Sequence, residues 1–407
     1  VLGELGKFCL TDDPRPLVVY ATDRFLPARG GVQTYIQQLI DCMADKYRFV
    51  VLTAIRNEES LDEALLQPEP SMVERWGSWT LDAVVVSLRL GPAAAEAYRS
   101  QRADEDTANA ADPSSYHINR WHTMELLAGL LSDEIGPMFP PNVIVHAMGP
   151  WEMSLVAERI FPAARRVVTP FVHPGHWGED EASVRWLRTA DAIVALTAQD
   201  REVCQSLGLP PERTFLVPVP YVRRGMDEGE ASHRNLVVYV GVNRPYKGID
   251  IFVAAADQLA KKWSGFEFIV LTSSSQSGPL AASRTSSMGA RLVASPSDVE
   301  RDHILRRSAC VCLPSASEIS PYAILEGWDH GAPAVVTDNE HFRSFVAGGG
   351  LFVSRDPASL AAAVTRILEG SVDSQDLVEI GRDRLDLLHE PKAVAELLKE
   401  VYQGAYP

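Results

Sequence analysis

One pattern, begun twice, constrains the fold more than any other feature. Leu17-Val-Val-Tyr-Ala-Thr22 is a continuous apolar run. A loop from Asp23 to Gly31 follows it, and then a stretch whose apolar positions, Val32, Tyr35, Ile36, Leu39, Ile40 and Met43, recur at helical spacing. The pattern restarts at Leu236-Val-Val-Tyr-Val-Gly241, with the loop Val242 to Gly248 and a helix expected over Ile249 to Lys262. Strands that are apolar at every residue, rather than at every second one, suit a parallel sheet covered by helices on both faces. Further strands are expected at 83–86, 142–145, 166–169 and 191–196 in the first half, and at 266–272, 291–294, 309–313 and 334–337 in the second. The fold class is therefore α/β: two doubly wound, Rossmann-like domains in tandem, with parallel sheets facing a central cleft.

A chain of 407 residues is too long for one ordinary core, in keeping with two domains. The boundaries read as 1–218 for the first domain, 219–234 for a linker rich in proline, glycine and charge, and 235–390 for the second domain. Residues 391–407 form a C-terminal helix expected to pack back on the first domain. Two segments sit outside this plan. Ala103 to Pro113 is acidic, alanine-rich and reads as an irregular excursion, and Ser273 to Ser287 reads as a flexible loop. Asp104-Glu-Asp106 resembles a metal-binding acid pair, but its polar, irregular surroundings fit a solvated stretch better, and no metal is expected.

Net charge bounds the partners. At −16 the chain has no basic stripe for nucleic acid and none for an anionic membrane surface. No run of 18 apolar residues is present, so no strong membrane association is expected. The start lacks the layout of a secretory signal. The five cysteines have no metal-ligand spacing, and Cys310 and Cys312 fall on an apolar strand, which fits free buried thiols in a reducing cytoplasm.

The chemistry concentrates in Leu313-Pro-Ser-Ala-Ser-Glu-Ile-Ser-Pro-Tyr-Ala-Ile-Leu-Glu-Gly327. After the strand, Ser320-Pro321 reads as an N-cap followed by proline at the first helical position, and Gly331 and Pro333 close the helix. Glu318 then stands in the strand-to-helix crevice, and Glu326 about two turns along the helix. Carboxylates accept hydrogen bonds from sugar and ribose hydroxyls, while amides at a helix N-terminus hold phosphate. Such a pair suits a nucleotide-sugar; alone, it is equally a helix with a dipole-matched acid. Arg244-Pro-Tyr-Lys247-Gly248 occupies the turn after the first strand of the second domain, where a guanidinium fork and an ammonium could neutralise a leaving diphosphate. Lys247 is one of seven lysines against thirty-one arginines. Gly30-Gly31 precedes the first long helix and allows close backbone approach to a phosphate, although the dinucleotide spacing Gly-x-Gly-x-x-Gly is missing. His173 and His176 follow the strand 166–169 in a Pro/Gly loop, and His146 ends the neighbouring strand. These histidines, with Trp121, Trp151 and Trp177, are candidate walls for an acceptor, core packing being the alternative for each.

Together these residues resemble the family-4 retaining glycosyltransferases of the GT-B fold, over Leu17 to about Leu368 and most specifically in the second half. There Gly241…Lys247-Gly248, Pro314-Ser315…Glu318 and the Glu318/Glu326 pair keep the family's order and spacing. The resemblance implies that Glu326 holds the ribose and Glu318 the donor sugar, with Ile319, Ser320, Pro321 and Tyr322 lining the sugar and phosphate. It also implies that Lys247 and Arg244 grip the diphosphate, that Gly30 and Gly31 approach it from the first domain, and that His173 lies beside the reacting sugar. Three departures are visible. Val242 stands where the family has arginine, with Arg244 two later; Pro218-Val-Pro-Tyr221 replaces Asn-Gly; and Ser273-Ser-Ser275 replaces a glycine-rich turn.

The expected activity is metal-independent transfer, with retention, of a sugar from UDP or GDP to a soluble small-molecule acceptor, such as an intermediate of natural-product biosynthesis. No cofactor is expected beyond the donor substrate. Two alternatives remain open: a nucleotide-sugar 2-epimerase of the same fold, and a catalytically degenerate sugar-nucleotide binder.

Overall fold

The computed structural model describes residues 2–27, 30–56, 60–68, 71–74, 83–111, 116–175, 178–224, 234–272 and 289–404. His176, Trp177, the serine-rich segment 273–287 and most of the expected linker lie outside them. The chain divides into two compact units. One comprises Val1–Leu196, Arg201–Val217 and Ala395–Pro407, the other Thr197–Asp200 and Pro218–Val394.

The first unit is built on an eight-stranded sheet. Its strands are β1 (Leu17–Ala21), β2 (Arg48–Thr53), β3 (Met72–Glu74), β4 (Ala83–Ser87), β5 (Ile144–Met148), β6 (Arg165–Thr169), β7 (Ala192–Ala195) and β8 (Thr214–Leu216). They lie in the order β3-β4-β2-β1-β5-β6-β7-β8, all parallel apart from the β3–β4 pair. The central strands β1, β2 and β4 are buried along their whole length, which is why their sequences carry apolar residues on both faces. One face packs Val19, Val50, Val86 and Val145 under the helices Glu152–Ile160 and Tyr116–Ile135.

The second unit holds a six-stranded, all-parallel sheet of β9 (Leu236–Val240), β10 (Glu267–Thr272), β11 (Ala290–Ala294), β12 (Ser308–Leu313), β13 (Ala334–Thr337) and β14 (Gly350–Val353). The order is β11-β10-β9-β12-β13-β14. In each sheet the order reverses beside the founding strand, between β1 and β5 in the first and between β9 and β12 in the second. Ligands of open α/β sheets bind at such switch points, outside the carboxyl ends of the strands.

Residues 103–111 correct the sequence reading, for they complete a regular helix, Pro92–Ala111. Alanine, arginine and glutamate are strong helix formers, and Ala95, Tyr98 and Glu105 share the buried face. The last helix, Pro391–Gln403, passes from one unit's residues to the other's: from Ala395 onward it belongs with the first sheet. There Arg165 donates to the Val401 carbonyl at 2.9 Å, and the Tyr402 hydroxyl meets that of Tyr20 at 3.2 Å. Among the described residues, no helix is long and apolar enough to cross a membrane.

Two buried histidines tie chain ends to these cores. His146, fully buried on β5, places Nδ1 2.8 Å from the Tyr402 hydroxyl and Nε2 2.8 Å from the Thr169 hydroxyl. His389 places Nδ1 2.8 Å from the Val219 carbonyl. Burial pushes His146 down to about 3, and His389, again mainly through burial, down to about 4, from an ordinary value of 6.5. A depressed folded value means that unfolding takes up a proton from each ring once the pH drops below 6.5. Their stabilisation is complete above that value and is lost on acidification towards the folded values. We expect each to cost about 1.4 kcal/mol of stability at pH 5.5 relative to pH 7.5. Urea midpoints at the two pH values check this. His146→Gln should shrink the drop by about its own share, whereas a midpoint indifferent to pH would contradict the assignment.

Candidate functional site

Two loops leave the second sheet side by side at its switch point. β9 gives way to Gly241–Gly248 before the helix Ile249–Ala260, and β12 gives way to Pro314–Pro321 before the helix Tyr322–Asp329. The Ala316 amide donates to the Tyr246 carbonyl at 2.7 Å. Arg355, just past β14, donates to the Pro314 carbonyl at 3.2 Å and to the Pro245 carbonyl at 3.0 Å, fastening both loops. Gly248 makes the approach possible. Its φ is +70°, and a Cβ there would lie 2.3 Å from the Pro314 carbonyl oxygen.

This crossing brings Lys247 and Glu318 together. Lys247 Nζ lies 2.6 Å from Glu318 Oε1, and the Ser315 hydroxyl donates to the same oxygen at 2.9 Å. Glu318 Oε2 receives no hydrogen bond among the described residues, so that oxygen is available to a ligand hydroxyl. The two side chains are only 15% and 11% exposed, which limits screening by water. The ammonium also sits 5.1 Å from the centre of the Tyr246 ring. Arg244 is exposed at the start of the 3₁₀ turn Pro245–Lys247.

Glu326 is buried, and Arg301 holds it in a bidentate pair, with Nε at 3.0 Å from Oε1 and Nη2 against Oε2. The helix carrying Glu326 begins one residue later than expected, with Pro321 as its cap residue, so Glu326 lies little more than one turn along it. Arg301 is a site residue that the sequence reading misses. It sits in the run Asp298-Val-Glu-Arg-Asp302 and reads there as one charge of a solvated helix face.

Side chains of Ser60, Asp180, Ser297, Asn339, Asp356 and Asp373 cap the helices that follow them. Glu152–Ile160 has no bond from its cap residue's side chain, its Met153 amide donating to Asp23 instead, and the helices Gly31–Met43, Ile249–Ala260 and Tyr322–Asp329 have no side-chain cap bond. All three start at the carboxyl edge of a sheet, beside its switch point, where first-turn amides are open to an anion. The Ser320 hydroxyl, just before the third of them, is buried with no hydrogen-bond partner among the described residues.

In the first unit, Gly30 and Gly31 begin their helix after the β1 loop, and nothing lies within 4 Å of a Cβ built on Gly31. His173 follows β6 and is 8% exposed. One acceptor-side expectation is corrected, and two half-buried tryptophans are found in packing contacts. His146 faces the core with both ring nitrogens engaged, and cannot line a binding surface. Trp151 stacks on Phe171 with centroids 6.1 Å apart and covers Gly149, so its ring is used in packing. Trp121 is half-buried against the cluster formed by Val168, Trp186 and Ile193.

The likeness to known proteins centres on the same elements. Residues 234–370, which include Lys247, Arg301, Glu318 and Glu326, match the family model described as Glycosyl transferases group 1. No curated protein sequence matches the chain. A trehalose-6-phosphate synthase structure superimposes with a TM-score of 0.69 at 14% identity, over 95% of this chain and 99% of that one. The sucrose-phosphate synthase of Thermosynechococcus elongatus gives 0.68 at 17% identity, over 96% and 98%. An α,α-trehalose-phosphate synthase (UDP-forming) from Burkholderia xenovorans, in complex with glucose-6-phosphate, gives 0.69 at 11%, over 96% and 100%. The fold is GT-B. The resemblance read from the motifs thus stands for the fold, and the family match falls on the half of the GT-B chain where those motifs are most specific.

Gly248→Ala tests the crossing. The left-handed backbone alone should cost about 1–3 kcal/mol, and the collision with a backbone carbonyl adds to it. Thermal unfolding should show a clear loss, whereas Gly31→Ala should stay within about 0.5 kcal/mol of the parent. Equal stability of both variants would mean that the loops do not need their close contact.

Proposed function

We propose that the protein transfers a sugar from UDP or GDP to a soluble small-molecule acceptor, with retention at the anomeric carbon and without a metal ion. The observation that carries this reading is the Lys247–Glu318 pair at the switch point, flanked by two open helix N-termini. An ammonium and backbone dipoles are placed where a diphosphate would gather charge. A carboxylate with one oxygen still available stands beside them, where sugar hydroxyls would be held.

In this reading Glu326 binds the ribose and Glu318 the donor sugar. Lys247, Arg244 and the first-turn amides stabilise the negative charge that grows on the departing diphosphate, the kind of electrostatic preorganisation that often supplies the largest catalytic term. The bond from the anomeric carbon to the phosphate oxygen breaks, and the accepting atom bonds to that carbon from the same face. The acceptor's proton leaves with the diphosphate. Protein cations fill the role that a divalent ion takes elsewhere, which is the ground for proposing metal independence. The Burkholderia xenovorans synthase is UDP-forming, which favours UDP among the bases. His173 would position the sugar, and the acceptor would be an intermediate of natural-product biosynthesis. The burial of His146 removes one histidine that an epimerase reading would have used.

Thermal unfolding with UDP, GDP, dTDP and ADP, with EDTA present, tests the donor. At about a hundred times its dissociation constant a nucleotide adds roughly 2.7 kcal/mol of stability. UDP or GDP should do so, and the response should vanish in Lys247→Gln, which keeps a hydrogen-bond donor beside Glu318 but removes the charge. Absence of any response would discard the donor reading. A response that needs added divalent cation would discard metal independence.

A further inference from the structure

The helix Tyr322–Asp329 is buried at all eight of its residues, and Glu326 and Asp329 are its charged ones. The two carboxylates are engaged in different ways. Asp329 receives three donors from one segment: the Tyr221 hydroxyl at 3.2 Å, Arg223 Nε at 3.1 Å and the Arg224 amide at 2.9 Å. Its acceptor capacity is largely spent on fastening residues 221–224 to the helix. Among the described residues the Glu326 side chain receives only Arg301, through Nε and Nη2. A carboxylate offers about four acceptor sites, so one edge of Glu326 is gripped and the outer edge stays open.

The surroundings reserve Arg301 for this contact. Asp302, the next residue, is taken by Arg224 Nη1 at 2.7 Å and lies 3.3 Å from His330 Nε2. The helix that carries Arg301, Asp298–Arg306, starts from a fixed point, the Ser297 hydroxyl accepting from the Glu300 amide at 3.2 Å. Ahead of that cap Ser295 holds a left-handed backbone, with φ +49°, while its amide donates to the Thr272 carbonyl at 2.7 Å. A serine keeps such a conformation only where its surroundings impose it, and strain of this kind collects at functional sites.

Stability does not account for the pair. Apolar residues of similar volume in place of a buried ion pair are often neutral or stabilising, and Ile324, Leu325 and Trp328 beside Glu326 are fully buried. The Glu326 side chain is itself only 8% exposed. A planar, two-point grip does serve binding: it fixes the carboxylate beforehand, so that a ligand need not order it.

We propose that Arg301 is the positioning residue that makes this site select ribonucleotides: by holding Glu326 in one orientation, it aims the open edge of the carboxylate at the 2′-hydroxyl of the donor. The proposal rests on the ribose role given to Glu326 above and deepens it. Arg301 acts through Glu326. The donor is then a ribonucleoside diphosphate sugar. A 2′-deoxy donor leaves a buried carboxylate without the hydrogen bond that would offset its loss of water.

Calorimetry on the full chain, with EDTA present, compares UDP with 2′-deoxy-UDP and GDP with 2′-deoxy-GDP. The ribonucleotide of the better-bound base should be favoured by about tenfold or more, the size of one hydrogen bond to a charged group. Arg301→Lys keeps a cation beside the buried acid, which protects folding, but an ammonium cannot make the two-point grip. The preference should fall several-fold in this variant, with the weakening confined to the ribonucleotide. Glu326→Gln should lower the preference as well. Arg301→Lys added to Glu326→Gln should change it no further, because the two side chains act as one unit. An arginine that only supports the helix would weaken both nucleotides alike. An unchanged ratio in Arg301→Lys therefore overturns the proposal, as does a further loss in the double variant. UDP or GDP bound with no preference over its 2′-deoxy form rejects the ribose site and spares the diphosphate grip of Lys247. No nucleotide bound at all rejects the donor reading and this proposal with it.

Discussion

The candidate site depends on two backbones crossing closer than side chains allow. The loops after β9 and β12 touch where Gly248 meets the Pro314 carbonyl, and any Cβ there would collide with it. The Lys247–Glu318 pair hangs from that contact. Lys247 precedes the glycine and Glu318 lies four residues beyond the proline, so the crossing sets the distance between their charges. The Ala316–Tyr246 bond and the bridging Arg355 keep it from opening.

Such an arrangement makes poor sense as a device for stability. A buried ion pair gains little over a well-packed apolar pair of the same size, because desolvation offsets most of the attraction. Capping shows the same preference for binding over stability. Six helices elsewhere carry a side-chain cap, worth typically about 1 kcal/mol, and Gly31–Met43, Ile249–Ala260 and Tyr322–Asp329, beside the switch points, do without. Open amides, a shared lysine and a carboxylate with a spare oxygen are what an anionic, hydroxylated ligand would complete.

Much of this is legible in the sequence because it rests on local rules. Continuous apolar runs followed by glycine-bearing loops and periodic helices place Lys247 and Glu318 at carboxyl edges with no knowledge of contacts. What escapes depends on partners distant in sequence. His146 reads as the end of a strand but sits in the middle of β5, and its position alone does not say which face the ring takes. The answer comes from Tyr402, far along the chain on a helix whose last part belongs with the first sheet. Arg301 looks like one charge in an acidic run until Glu326, on a different helix, is brought against it. The stretch 103–111 misleads for a related reason. Its apolar residues are nearly all alanines, and the face it buries is partly polar: Glu105 points at Arg102 and Thr123 rather than into an apolar core. Periodicity of apolar residues cannot register a polar buried face.

Under the proposed function an acidic chain would face a contradiction, since a net charge of −16 repels a nucleoside diphosphate at long range. The resolution must be local. At the second switch point the acids are matched to cations, Glu318 to Lys247 and Glu326 to Arg301, so that neither carboxylate presents unbalanced charge to a phosphate. The remaining attraction then comes from Arg244 and from backbone dipoles at the two helix starts, which add positive potential without a side chain.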